Sequence, residues 1–263
     1  MPVTTHDLRA RKAEGRRFVM LTAYDYPTAR ILDEAGIPVL LVGDSLAQTV
    51  LGYETTLPVT MEEMLHHTRA VARGASNAMV VADMPFLSYQ VSVEEGIRNA
   101  GRFLKEGGAH AVKIEGPQIE LSQALVRLGI PVMAHVGLTP QSVHAMGGYR
   151  VQGRTEEAAR RIHDEALALE KSGAFSIVLE GMPAEVGAEI TRSLQIPTIG
   201  IGAGSDCDAQ VLVITDLLGL GSGTPPKFAK AYANLREQIT EAAREFAREV
   251  EEGAFPDAEH SYG

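Results

Sequence analysis

The chain has 263 residues, 45% of them hydrophobic and 22% charged, with a formal net charge of −10. That composition supports a sizeable core in a globular protein, and the acidic balance sets aside nucleic acid and anionic membrane surfaces as partners. A single cysteine, Cys207, excludes an intramolecular disulfide, and no apolar run is long enough for a membrane helix.

The N-terminus, "MPVTTHDLRARKAEGRRF", is polar and basic and lacks the apolar stretch of a secretory signal, so a cytoplasmic location is expected. From Arg17 onward short apolar runs alternate with helical patterns. The runs are "FVMLTAY" (18–24), "PVLLVGDS" (38–45), "AMVVADMP" (78–85), "AHAVKIEG" (109–116), "PVMAHVGL" (131–138), "AFSIVLEG" (174–181), "PTIGIGAG" (197–204) and "VLVITDLLG" (211–219). They are apolar on both faces and rich in Val and Ile, as parallel strands covered by helices must be.

The intervening segments read as helices. "TMEEMLHHTRAVARG" opens on a capping box of Thr60 and Glu63, and "SVEEGIRNAGRFLKEGG" repeats it with Ser92 and Glu95. In the latter, Val93, Ile97, Ala100 and Leu104 fall on one stripe, and Gly107–Gly108 stop the helix. "EEAARRIHDEALALEKSGA" is a further helix ending at Gly173, and a last one is expected over roughly Lys230–Gly253. Strands begin just after Ile37–Pro38, Ile130–Pro131 and Ile196–Pro197. A unit of helix, stop and strand repeated eight times predicts a single (β/α)₈ TIM barrel spanning residues 1–263, with an open doubly wound sheet as the competing arrangement.

Barrel enzymes react at the C-terminal ends of their strands. There the sequence places Asp44 and Ser45 on strand 2, Asp83 on strand 3, Lys113 and Glu115 on strand 4, His135 on strand 5 and Glu180 on strand 6. Any one acid after a strand could simply cap a turn or the next helix. Several at one rim need a counter-charge, and a hard divalent cation such as Mg²⁺ suits them, with Asp44 and Asp83 as direct ligands and Glu115 direct or through water. Weaker candidates are His66–His67, one expected at the surface and one half-buried, and Cys207, a nucleophile or an inert buried thiol. "GIGAG" (200–204) lacks the spacing of a phosphate loop, and "HAMGGYRVQGR" (144–154) is either a lid or a plain surface loop.

The blocks "LTAYDYPTA", "LLVGDSLAQTVLGYETTLPVT", "VVADMPF", "VKIEG", "AHVGLTPQSVHAMGGYRVQGR", "IGIGAG", "PKFAKAY" and "EHSYG", in this order, closely resemble the ketopantoate hydroxymethyltransferase family over nearly the whole chain. The resemblance implies a Mg²⁺-dependent barrel that uses 5,10-methylenetetrahydrofolate as one-carbon donor to 3-methyl-2-oxobutanoate, assembled as a homodecamer. It implies Asp44 and Asp83 as metal ligands that bind substrate through the metal, and Glu115 as a third, partly outer-shell acid. By the same resemblance Ser45 and Lys113 contact the keto-acid carboxylate, His135 touches substrate, and Glu180 accepts the proton, for which its pKa would need raising. One departure is Ala209 in "CDAQ", where the family usually has glycine; a glycine needed there for positive φ would oblige the backbone to adjust. Three other readings compete: Schiff-base chemistry at Lys113, a Mg²⁺-dependent lyase or mutase of the phosphoenolpyruvate-mutase type, and a non-catalytic binding barrel.

Overall fold

The computed structural model describes residues 2–221, 223 and 225–263. The elements are α1 (Thr5–Ala13), β1 (Phe18–Thr22), α2 (Tyr26–Glu34), β2 (Val39–Val42), α3 (Leu46–Thr49), α4 (Met61–Gly74), β3 (Met79–Asp83), α5 (Val93–Lys105), β4 (Ala111–Glu115) and α6 (Ile119–Arg127). There follow β5 (Val132–Gly137), a 3₁₀ turn (Pro140–Ser142), α7 (Glu156–Lys171), β6 (Ser176–Glu180), α8 (Ala184–Ser193), β7 (Thr198–Ile201), β8 (Ala209–Leu212), α9 (Ile214–Leu217) and α10 (Leu235–Glu251). The strands pair in parallel in sequence order, and β8 closes on β1, so the expected TIM barrel is formed. The chain divides into two compact units, Met1–Val213, which holds the whole barrel, and Ile214–Gly263, which holds α9, α10 and the C-terminal segment.

Alternate strand residues fill the barrel's interior. Phe18 and Met20 of β1, Val39 and Leu41 of β2, Met79 and Val81 of β3, Ala111, Met133, Val178, Ile199 and Val211 form one buried cluster. Leu8 of α1, fully buried, belongs to the same cluster, so α1 plugs the N-terminal end. The plug starts at a capping box in which Thr4 and Asp7 satisfy each other's backbone N–H groups. Its Lys12 reaches Asp208 at 2.8 Å and the Thr191 carbonyl at 3.0 Å. A reading of the N-terminus as merely polar and basic misses this helix.

The capping box of Thr60 and Glu63 is present. At Ser92 only half of the device forms: the serine accepts from Glu95 N–H without a return bond described. On α5 the fully buried positions are Gly96, Ala100 and Phe103, whereas the predicted Val93, Ile97 and Leu104 are half-buried. The face turns because Leu121 of α6 packs onto Gly96, where an added Cβ would meet it at 2.7 Å.

Two boundaries differ from expectation. The predicted strand over 211–219 is β8 over Ala209–Leu212, and residues from Ile214 turn into α9 instead. A short apolar run does not distinguish the two by period. Ala209 takes part in regular pairing with Phe18 and Ile199 and is not among the positive-φ residues, so alanine there costs no strain. The last helix starts at Leu235 rather than Lys230, because Tyr232 and Leu235 N–H groups bond to the Leu217 and Leu218 carbonyls.

Candidate active site

Strand parity carries the apolar interior upward into polar groups. Val81 of β3 is followed on the same face by Asp83, and Ala111 of β4 by Lys113 and then Glu115. Met133 leads to His135 on β5, and Val178 to Glu180 on β6. The register sets Asp83 beside Lys113, Glu115 beside His135, and Gly137 beside Glu180. Strand β2 departs from this pattern. Gly43 holds its inward position, and a Cβ there would lie 2.8 Å from Ser45 Oγ, so any larger residue would oblige that hydroxyl to shift. The turn aims the Asp44 N–H at Asp83 Oδ2, 3.0 Å away.

The structure therefore brings Asp44, Asp83, Lys113, Glu115, His135 and Glu180 together. Lys113 Nζ lies 3.0 Å from Asp83 Oδ1, 3.2 Å from His135 Nδ1 and 3.9 Å from Glu115 Oε1. His135 Nε2 lies 3.3 Å from Glu180 Oε2, off hydrogen-bond alignment. Asp83 Oδ1 is likewise buried without an aligned hydrogen bond, despite its ion pair with Lys113. Ser45 is half-buried, its Oγ 2.9 Å from the Tyr24 hydroxyl. Glu180 keeps a partial opening, with 16% of its side chain exposed.

The electrostatics are those of crowded, buried acids. Burial and the neighbouring Asp83 push the Asp44 carboxyl up to about 7. Burial and Asp44 push Glu115 well above the carboxylate range. Burial opposes the charge on Lys113, but Asp83, Glu115 and Asp44 outweigh it, and the ammonium is held more firmly than usual. Burial and the adjacent Lys113 lower the pKa of His135, so its imidazole is neutral at pH 7. Four acids thus face one lysine, an imbalance that a divalent cation corrects.

The donor set fits Mg²⁺ in the form that ion prefers, one or two carboxylates with the remaining positions left to water and substrate. Asp44 and Asp83 offer the carboxylates. Glu115 spends Oε2 on the Gln141 backbone N–H at 3.0 Å and turns Oε1 toward Lys113 and His135, which suits contact through water. Among the described residues no three His, Cys, Asp or Glu side chains form a ready-made cage.

Sequence reasoning missed Gln141, Tyr89 and Tyr24. Gln141 and Tyr24 lie within the quoted blocks "AHVGLTPQ" and "LTAYDYPTA", but only the tertiary structure shows what they touch. Of the weaker candidates, His66 is exposed and His67 half-buried, with its Nδ1 2.6 Å from the Tyr24 carbonyl. Cys207 is buried, and burial raises its thiol pKa, the condition of an inert thiol. The GIGAG segment packs tightly: a Cβ on Gly204 would meet Ala184 at 2.6 Å. In the 144–154 loop Tyr149 is 50% exposed, yet burial and the Asp44 charge still raise its hydroxyl pKa.

An eight-stranded barrel with acids, a lysine and a histidine on its C-terminal rim defines a barrel enzyme whose chemistry lies at the strand ends. Solved structures of similar fold include a phosphonopyruvate hydrolase in complex with oxalate and Mg⁺⁺, with a TM-score of 0.61 and 17% identity over 99% of this chain and 93% of that one. Another is 2,3-dimethylmalate lyase, a member of the PEP mutase/isocitrate lyase superfamily, with a TM-score of 0.62 and 17% identity over 99% of this chain and 92% of that one. At that identity the likeness concerns the fold alone.

Sequence likeness reaches further. The family model for ketopantoate hydroxymethyltransferase matches residues 2–258. The 3-methyl-2-oxobutanoate hydroxymethyltransferase of Syntrophus aciditrophicus (strain SB) is 57% identical over 263 residues, covering 99% of this chain and 96% of that protein. The enzyme of the same name from Thermobifida fusca (strain YX) is 60% identical over 262 residues, covering 99% and 93%. The chain belongs to the ketopantoate hydroxymethyltransferase family and is a transferase.

Proposed function

We propose that this chain transfers a hydroxymethyl group from 5,10-methylenetetrahydrofolate to 3-methyl-2-oxobutanoate, giving 2-dehydropantoate for pantothenate biosynthesis. The observation that carries the reading is the arrangement of Glu180 at the open side of the rim and Asp44, Asp83 and Lys113 at its buried side, with His135 between them. Asp44 and Asp83 would hold Mg²⁺, with Glu115 behind them through water. Bound there, the ion would polarise the keto oxygen and make the C3 proton more acidic.

The chain's own groups do the rest. Lys113 and Ser45 orient the keto-acid carboxylate, so that C3 faces Glu180. Glu180 takes the C3 proton, and the electron pair of the broken C–H bond forms the new C–C bond to the folate's one-carbon unit. Water supplies the hydroxyl oxygen, and tetrahydrofolate leaves. His135, neutral and 3.3 Å from Glu180 Oε2, separates the base from the charged cluster. Lys113 is held as an ammonium by Asp83, Glu115 and Asp44, which disfavours the Schiff-base route, since that needs a free amine.

The test is proton exchange at C3. With Mg²⁺ and the keto acid but no folate, the enzyme should exchange the C3 hydrogen for deuterium in D₂O, and Glu180→Gln should slow exchange about 100-fold or more. Unchanged exchange in Glu180→Gln would remove Glu180 as the base.

The assembly we infer is a cytoplasmic homodecamer. Within the second unit α10 has no buried side chain, and Ile239, Phe246 and Val250 are 56, 57 and 48% exposed, an apolar face that association between copies would cover. Light scattering on the purified protein measures the copy number.

A further inference from the structure

The rim contains a fully used amide that none of the proposed chemical steps employs. Gln141 is buried in the 3₁₀ turn after β5. Its Nε2 donates to Asp44 Oδ2 at 2.9 Å and to the Met84 carbonyl at 2.9 Å. Its Oε1 accepts from the Tyr89 hydroxyl at 2.8 Å and from Gln90 Nε2 at 3.1 Å. Its backbone N–H donates to Glu115 Oε2 at 3.0 Å, and Glu115 N–H donates in turn to the Tyr89 oxygen at 3.0 Å. A ring results: Gln141 to Glu115, Glu115 to Tyr89, Tyr89 back to Gln141.

The amide has only one workable orientation. A backbone carbonyl only accepts, so the group facing Met84 must be the NH₂. Rotating the amide by half a turn would set two oxygens that can only accept 2.9 Å apart at Met84. Gln141 therefore always presents a donor to Asp44 Oδ2, and Oδ1 is the oxygen that Asp44 has to offer a cation. The same residue, through its main chain, holds Glu115 Oε2 away from that cation. One residue in the β5 loop, by its side chain and its main chain, thus ties together groups from the ends of β2, β3 and β4.

We propose that Gln141 is the positioning residue of the metal site, fixing Asp44 for direct ligation and Glu115 behind it. The inference rests on Asp44 being a cation ligand. Hydrogen-bond partners of ligating carboxylates commonly set metal affinity by about 10- to 100-fold.

The experiment titrates the full-length protein with Mn²⁺ alone, following the free ion by electron paramagnetic resonance, and measures kcat and KM for the keto acid. Gln141→Met keeps the volume and loses the amide. Gln141→Asn keeps the amide and the main-chain bond to Glu115, but is one methylene too short to reach Asp44. Both should bind Mn²⁺ about ten-fold or more weakly. Their activity should recover in part at raised metal concentration, which a merely structural defect would not do. If both variants bind Mn²⁺ within two-fold of the parent while Asp44→Ala has lost it, the role of Gln141 is overturned and the ligand role of Asp44 stands. If Asp44→Ala binds like the parent, the metal reading falls and this inference with it. Failure of both Gln141 variants to fold would make the residue structural and overturn the proposal equally.

Discussion

Buried and half-buried acids occur at both ends of this barrel, and their surroundings differ in kind. At the N-terminal end Asp33 accepts from the Asn77 and Ala78 backbone N–H groups at 2.9 and 2.7 Å and from the Asn77 side chain at 2.9 Å. Asp208 Oδ2 accepts from Thr198 N–H at 2.8 Å, from Thr198 Oγ1 at 3.0 Å and from Lys12 Nζ at 2.8 Å. At the C-terminal rim Asp44, Asp83 and Glu115 face one another, share one lysine, and leave a buried oxygen of Asp83 without an aligned donor. An acid given neutral backbone donors is a fastener. Acids set against acids are destabilising on their own and make sense only with a ligand to receive.

The contrast is broken most severely at the rim. Asp83→Ala should lower kcat/KM for 2-dehydropantoate formation by about a thousand-fold or more, since it removes both a carboxylate and the anchor of the Asp44 N–H. An active variant would mean that the rim acids are fasteners too. Next in size is the opposite end: Asp33→Ala strands three donors and should cost about 2–4 kcal/mol of stability by denaturant unfolding. The folded fraction should keep its kcat/KM.

Much of this distinction is hidden in the sequence. Strand parity made the rim legible: runs apolar on both faces, each ending in a polar residue of the inward set, point Asp83, Lys113, Glu115, His135 and Glu180 to one place. Asp44 was legible only as part of that group, because it lies past the end of β2 and reaches the site through the Gly43 turn. The plug helix was readable in principle from the capping pattern of Thr4 and Asp7, but its polar, basic residues mask the one buried leucine that matters. Gln141 was not readable, since an amide gains its role from the four groups around it. The run "VLVITDLLG" misled because strand β8 and helix α9 are both short and apolar there.

The two ends should also titrate with opposite signs. Burial opposes the charge on Asp33, but the N–H groups of Ala78, Asn77 and Ser76 outweigh it and lower its pKa below 3.8. Its contribution is therefore present above pH 3.8 and lost as pH falls through the lowered folded value. Asp44 is raised from 3.8 to about 7, so the folded state holds a proton that the unfolded chain has released, and metal-free stability declines as pH rises across that window. Asp44→Asn should flatten this decline and raise the metal-free Tm near pH 7.5 by about 5 °C, while abolishing activity. A lower Tm at that pH would show that Asp44 fastens the fold.

The smallest effect probes whether the two ends are independent. Lys12→Met removes an ammonium that joins the plug helix to Asp208 and to the Thr191 carbonyl, with side chains 14 and 18% exposed in the ion pair. Asp208 keeps both donors of Thr198, so no carboxylate is left unpartnered. The loss should be about 1 kcal/mol by urea unfolding, well below the cost of stripping a buried pair of all its bonds. The rim lies at the other end of strands that stay paired, so kcat/KM and Mn²⁺ affinity should remain within two-fold of the parent. A variant equally stable but with weakened metal binding would show that the plug sets the register of the rim acids, and the division between fastening and functional acids would then have to be drawn along the strands rather than between their ends.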